Sequence, residues 1–282
     1  MLAAIWFGAS SDKVAGTPDV NQIVQQSGKV TEADRQASPD YDYSETDLGP
    51  DGSTKTYAVR MLYGSPYSEL IAVDGKPLPE DAQQQEKKKL QEEISRRQRE
   101  SPAENAHRIA EFQREQNRDK RFIEELTRAF TFKLLGEQQR NGREVYVVQA
   151  SPLPGYHPPD ITSRVLTGMR GRMWIDKQTY QWVAVEAEVV HPVSIEGFLA
   201  KVEPGTRFYL EKTPVEDNIW MPKHFRMTSN ARVLSVFRHH HHEDETYFGY
   251  HKAAQKPQPA GREDDLRGLE SSRACDFSNS VR

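Results

Sequence analysis

One cysteine, Cys275, stands among 282 residues, so no intramolecular disulfide framework is available to this chain. No later stretch approaches the ~18 consecutive apolar residues of a membrane-spanning helix, and the body of the chain is read as soluble and not transmembrane. There is no excess of positive charge: 38 Lys and Arg against 42 Asp and Glu leave a formal net charge of -4. Overall attraction to a phosphate backbone is therefore missing, and no nucleic-acid partner is expected. Phosphate-cradling glycine loops of the form G-x-G-x-x-G or G-x-x-x-x-G-K-[ST] are lacking, as are the G-x-S-x-G elbow and the HExxH zinc motif. No cofactor is expected, and the chain is read as not an enzyme.

Strand signals, by contrast, are abundant. Tyr57, Val59, Met61 and Tyr63 alternate on one face of a strand, and SELIAVDG adds another. Asn141-Gly142 separates two strand runs, the strongest short-range hairpin signal. In RGRMWIDKQTYQWVAVEAEVV a bend at Asp176 to Thr179 precedes Val183, Val185, Ala187 and Val189 on one face, with Glu186 and Glu188 on the other. FLAKVEPGTRFYLEKT, IWMPKHFRMTS and NARVLSVFRHHHHEDETYFGY continue the meander to about Tyr250, giving roughly ten strands.

Helix is expected in two places. Val20, Ile23 and Val24 stand at helical spacing behind a capping Asp19. Over 79–130 glutamate, glutamine, lysine and arginine dominate, with Ser101 and Pro102 marking the start of a second helix. Lys87, Lys88 and Lys89 have glutamates nearby and read as a solvated face. The spacing thus predicts a half-barrel domain over 18–251 with a helical insertion at 79–130 and a disordered tail at 252–282. Residues 1–17 read either as the back half of a secretory signal or as a hydrophobic N-terminus. The fold class is mainly β with helices: one strongly curved antiparallel sheet, an incomplete β-barrel.

In this order of elements the chain resembles the periplasmic lipoprotein carriers of the Lol type and the wider outer-membrane lipoprotein-sorting-like family, whose relatives include envelope-stress regulators. The likeness is carried by MWIDKQTYQWVAVEAEV at 173–189, GREVYVVQASPLPGY at 142–156 and FLAKVEPGTRFYLEK at 198–212. It implies a periplasmic protein whose concave apolar sheet face takes up the acyl chains of a lipid or lipoprotein. The alternative is a protein partner docked on the charged insertion. Candidates for the apolar lining are Tyr57, Val59, Met61, Val183, Val185, Phe208 and Leu210.

The histidine run His239 to His242 is the densest cluster of possible ligands. Strand alternation sets His239 and His241 on one face with Glu243, and His240 and His242 on the other. A catalytic zinc needs three protein ligands and an open position, so His239 and His241 are weak metal candidates, set against ordinary strand-edge histidines. A metal-dependent hydrolase is the third reading after the two binding functions.

Overall fold

The computed structural model describes residues 18–161, 163–195, 200–216, 218–233 and 237–253. The expectations for residues 1–17 and for the tail beyond residue 253 lie outside them. The first helix, α1 (Val20–Ala37), is capped by Asp19, whose carboxylate accepts from the Asn21 amide at 3.0 Å. Its buried stripe runs Ile23, Val24, Ser27, Thr31, Asp34, a helical period that changes from apolar to polar toward the C-terminal end. A short 3-10 turn then leads into the strands β1 (Tyr41–Leu48), β2 (Thr54–Leu62), β3 (Ser65–Val73) and β4 (Lys76–Pro77).

The insertion is two helices, α2 (Glu80–Gln98) and α3 (Pro102–Ala129). Ser101 and Glu104 form a reciprocal capping box with Pro102 in the first turn, as the Ser-Pro pair predicts. Nine strands follow: β5 (Phe130–Arg140), β6 (Arg143–Pro152), β7 (Met169–Asp176), β8 (Trp182–Val189), β9 (Val193–Ser194), β10 (Ala200–Val202), β11 (Arg207–Glu216), β12 (Ile219–Val233) and β13 (Phe237–Lys252). Asn141 and Gly142 both have positive φ, 51° and 75°, as a tight β5–β6 hairpin turn demands.

All pairings are antiparallel, in the order β4-β3-β2-β1-β13-β12-β11-β8-β7-β6-β5, with β9 and β10 beside the end of β12. Among the described residues the sheet is open, with β4 at one end and β5 at the other. The strand signals after the insertion predict one continuing meander. The structure instead joins two meanders through β1 and β13, where Tyr41 faces Lys252 and Asp47 faces Glu245.

This order explains the length of the insertion. Chain leaving β4 at one edge re-enters the sheet at β5 on the other. Eleven strands make ten gaps, about 48 Å if flat at about 4.8 Å each, and the 28 residues of α3 span about 42 Å at 1.5 Å per residue. A helix of this length is what a sheet bent away from flatness needs to carry the chain across. Polar groups fix its start: buried Arg97 donates to the carbonyls of Leu62 (2.6 Å), Ser65 (2.8 Å) and Pro66 (3.1 Å). Arg108 adds bonds to Ser65 Oγ (2.7 Å) and the Tyr63 carbonyl (3.1 Å).

The main core lies between helices and sheet. Ile23 and Val24 of α1 pack on Val148, Met173, Ile175 and Trp182, flanked by Ile123 and Leu126 of α3. A second cluster, Val145, Val147, Trp174, Val183, Ala184 and Trp220, contains neither helix. There Arg140 lies 4.2 Å over the Trp174 ring and Arg143 4.7 Å over Trp220.

Candidate functional site

Strand register sorts the side chains into two faces. On the face that carries α1, the cross-strand row Val148, Met173, Val185, Leu210, Phe225 is continuous from β6 to β12. One step along lies Ala150, Gly171, Ala187, Phe208, Met227. The rows begin buried under α1 and the turn before β7. Toward β12 they emerge, and Val185, Leu210, Phe208, Phe225 and Met227 are only half-buried. Phe208 and Phe225 meet edge to face with centroids 5.3 Å apart. The result is an apolar strip continuous with the core but incompletely covered.

Three of the seven lining candidates, Val185, Phe208 and Leu210, lie on this strip. Tyr57, Val59 and Met61 share its face but stand across β13 and β1 from it. Tyr57 is half-buried there, whereas Val59 and Met61 are 3% and 6% exposed and belong to the interior. Val183 does not join Val185. A bulge between Trp174 and Ile175 shifts the β7–β8 register, and Val183, 1% exposed, packs with Trp174 and Trp220 in the second cluster. A bulge of this kind breaks the two-residue alternation on which the shared-face expectation rested.

Beyond Phe225 and Met227 the next strand turns acidic. Glu245 faces Phe225 and Glu243 faces Met227. Ligand oxygens of Glu45, Asp47 and Glu245 all lie within 4.8 Å of one another. Burial, reinforced by the Asp47 and Glu245 charges, pushes the Glu45 carboxyl up to about 8. Burial also raises Glu245, against a hydrogen bond from the Tyr247 hydroxyl. Tyr43, stacked near Tyr247 and Tyr250, is pushed up to about 12 by burial first. This end of the strip therefore carries less negative charge near neutral pH than its composition suggests, and stays compatible with an apolar neighbour.

The histidine run forms the part of β13 opposite β12, with His239 to His242 facing Ala231 to Thr228 in order. His241 and His242 are exposed. His241 Nε2 lies 2.6 Å from Glu243 Oε1, while His242 Nδ1 lies 3.2 Å from Thr228 Oγ1. The expected split into two faces thus holds for this pair. The side chains of His239 and His240 lie outside the described residues, so the His239–His241 metal pairing stays an expectation. On the insertion, Lys88 pairs with Glu92 and Lys89 with Glu86, which fits a solvated helix face.

The opposite sheet face, away from α1, is charged. Register aligns Arg170, Glu188, Arg207 and Thr228 in one row and Arg172, Glu186, Tyr209 and Arg226 in the next. Together with Gln149 they line a groove of about 720 Å³. The β5–β6 hairpin curls toward this face: Arg140 donates to the Tyr209 hydroxyl at 3.2 Å and Asn141 to Glu211 at 3.2 Å, across three intervening strands. The sequence reading missed this groove. Its only local signal is polar alternation in β7, β8 and β11, which is equally the signal of a wet sheet face.

No family model and no curated protein matches the chain. Solved structures do. An outer membrane lipoprotein-sorting protein domain from Vibrio parahaemolyticus is 12% identical, with 88% of this chain and 98% of that one covered at a TM-score of 0.30. For a LolA superfamily protein from Nitrosomonas europaea the values are 11%, 89%, 100% and 0.32. For the Pseudomonas aeruginosa MucA/MucB complex they are 10%, 83%, 100% and 0.23. At these identities and TM-scores the likenesses carry no family, ligand or partner across to this chain.

Proposed function

We propose that the chain is a non-enzymatic binding protein of the cell envelope that holds an acyl chain, from a lipid or a lipidated protein, against the apolar strip on its helix-bearing face. The observation that supports this reading is the row Val185, Leu210, Phe225 beside Phe208 and Met227: large apolar side chains contiguous with the core yet only half-buried. Covering such surface is favourable by about 25 cal/mol per Å², or about 0.8 kcal/mol for each buried CH₂ of an acyl chain. A soluble periplasmic location suits that role.

The test is displacement of a fluorescent fatty-acid analogue by palmitate, with native mass spectrometry of protein taken from an envelope fraction. Saturable binding, weakened about tenfold or more by Phe208→Asp together with Phe225→Asp, is the expected result. Protein that neither binds the probe nor carries lipid, while retaining its fold by circular dichroism, overturns the reading.

A further inference from the structure

The arginine side chains of the groove lie on the sheet face opposite the apolar strip. Its cations are poorly neutralised. Arg172 approaches Glu186 no closer than 3.9 Å, and Arg207, 70% exposed, is 3.6 Å from Glu188. Both distances exceed hydrogen-bonding range. Arg170 has Glu188 as its cross-strand neighbour but makes no ion pair or side-chain hydrogen bond among the described residues. Only Arg226 is firmly held, by Asp244 at 2.8 Å.

The geometry sharpens the imbalance. Glu186 and Glu188 both stand on β8, with Arg170 and Arg172 on one side of them and Arg207 on the other. Glu188 faces Arg170 on one side and Arg207 on the other, while Glu186 faces Arg172 and Tyr209, and neither glutamate meets an arginine at hydrogen-bonding range. With Arg226 held by Asp244, three arginines against two glutamates leave the lining one positive charge in excess, and all three lack a close anionic partner. Guanidinium groups present paired donors that match phosphate and carboxylate oxygens two at a time. A volume of about 720 Å³ suits a small molecule, and every lining strand is paired on both sides, so no free strand edge is offered to an extended peptide.

We infer that this groove is a binding site for a small molecule carrying at least two oxyanion groups, which bridges Arg170 and Arg172 of β7 to Arg207 of β11. Cations without a close partner stand on both sides of β8, Arg170 and Arg172 on β7 and Arg207 on β11, and this spread calls for two anionic groups that are separated from each other.

The experiment is titration calorimetry of the intact chain with pyrophosphate at low salt, with orthophosphate and phosphatidylglycerol vesicles as parallel arms. Expected is one site per chain for pyrophosphate, weakened about tenfold by Arg170→Ala and by Arg207→Ala, and tightened by Glu188→Gln. These residues are on the surface, and circular dichroism checks that the variants keep the fold. No heat at millimolar pyrophosphate overturns the inference. So does binding indifferent to both arginine variants, equal affinity for orthophosphate, or association with vesicles alone.

Discussion

The ammonium of Lys212 on β11 and the carboxylate of Asp34 on α1, 178 residues apart in the chain, form a buried ion pair. The second oxygen of Asp34 accepts from the Trp220 amide at 2.9 Å and from Gln181 Nε2 at 3.0 Å. One carboxylate thus ties α1 to β11, to the start of β12 and to the β7–β8 turn. Burial holds the Lys212 ammonium below its ordinary pKa despite the attraction of Asp34, so desolvation is the larger effect on the cation. Losing the carboxylate leaves that cation buried and unpaired, a change that costs about 3–5 kcal/mol. Asp34→Ala is therefore expected to lower stability by that amount in urea denaturation. Replacing both partners with Leu and Met restores much of the loss, because no charge is then stranded.

Arg97 does for the insertion what Asp34 does for α1. It is 7% exposed and meets three carbonyls of the β2–β3 turn while Glu93 holds its Nε at 2.5 Å. In Arg97→Met the apolar stem is kept and the donors go, leaving the Ser65 and Leu62 carbonyls short of partners. The expected cost is about 2–3 kcal/mol. It should appear as faster proteolysis within α2 at unchanged sheet circular dichroism; uniform destabilisation with no selective nicking of α2 contradicts the anchoring role.

These two anchors also mark the limit of what the residues disclose one by one. Local signals were legible: the Asn141-Gly142 turn, the Ser101 cap and the alternation of Glu186 and Glu188 each depend on neighbours within a few residues. The β1–β13 pairing was not, since no residue near Tyr41 encodes that Lys252 will stand opposite it. Arg97 looked like one more charge in a polar helix, and Arg170, Arg172, Arg207 and Arg226 become one groove only through the register of four strands. Val183 was misplaced by a single bulge. Pairing, burial and register are tertiary quantities, and a period-two pattern is blind to each of them.

Stability should fall as pH rises through the titration of Glu45. Its folded-state carboxyl lies at about 8, above the ordinary value near 4.5, so the folded chain binds this proton more tightly than the unfolded one. The contribution is complete below about pH 4.5 and is lost as pH climbs through about 8. The groups facing it are Asp47 and Tyr43 on its own strand, Glu245 and Tyr247 on β13, and Tyr57 across on β2. Among these, Asp47 and Glu245 add repulsion once ionised. Thermal melts between pH 6 and pH 9 are expected to drop by several degrees in the native chain, and Glu45→Gln should flatten the profile and raise the melting temperature at pH 9. An unchanged slope in the variant contradicts this assignment.

Val183 and Phe208 separate interior from ligand surface. Val183 fills the cluster with Trp174 and Trp220, so Val183→Ala removes two methyl groups from a packed site and leaves a cavity, at a cost of about 2 kcal/mol. Because that cluster lies apart from the strip, fatty-acid probe affinity should be unchanged once the protein is folded. Phe208 is half-buried and meets Phe225 edge to face; Phe208→Ala removes a ring that already sees solvent and should cost only about 1 kcal/mol. Probe affinity, however, should fall several-fold, because the ring is surface that an acyl chain would cover. Paired urea melts and probe titrations on the two variants read both quantities. If Val183→Ala weakens the probe and Phe208→Ala does not, the acyl chain lies on the other face of the sheet.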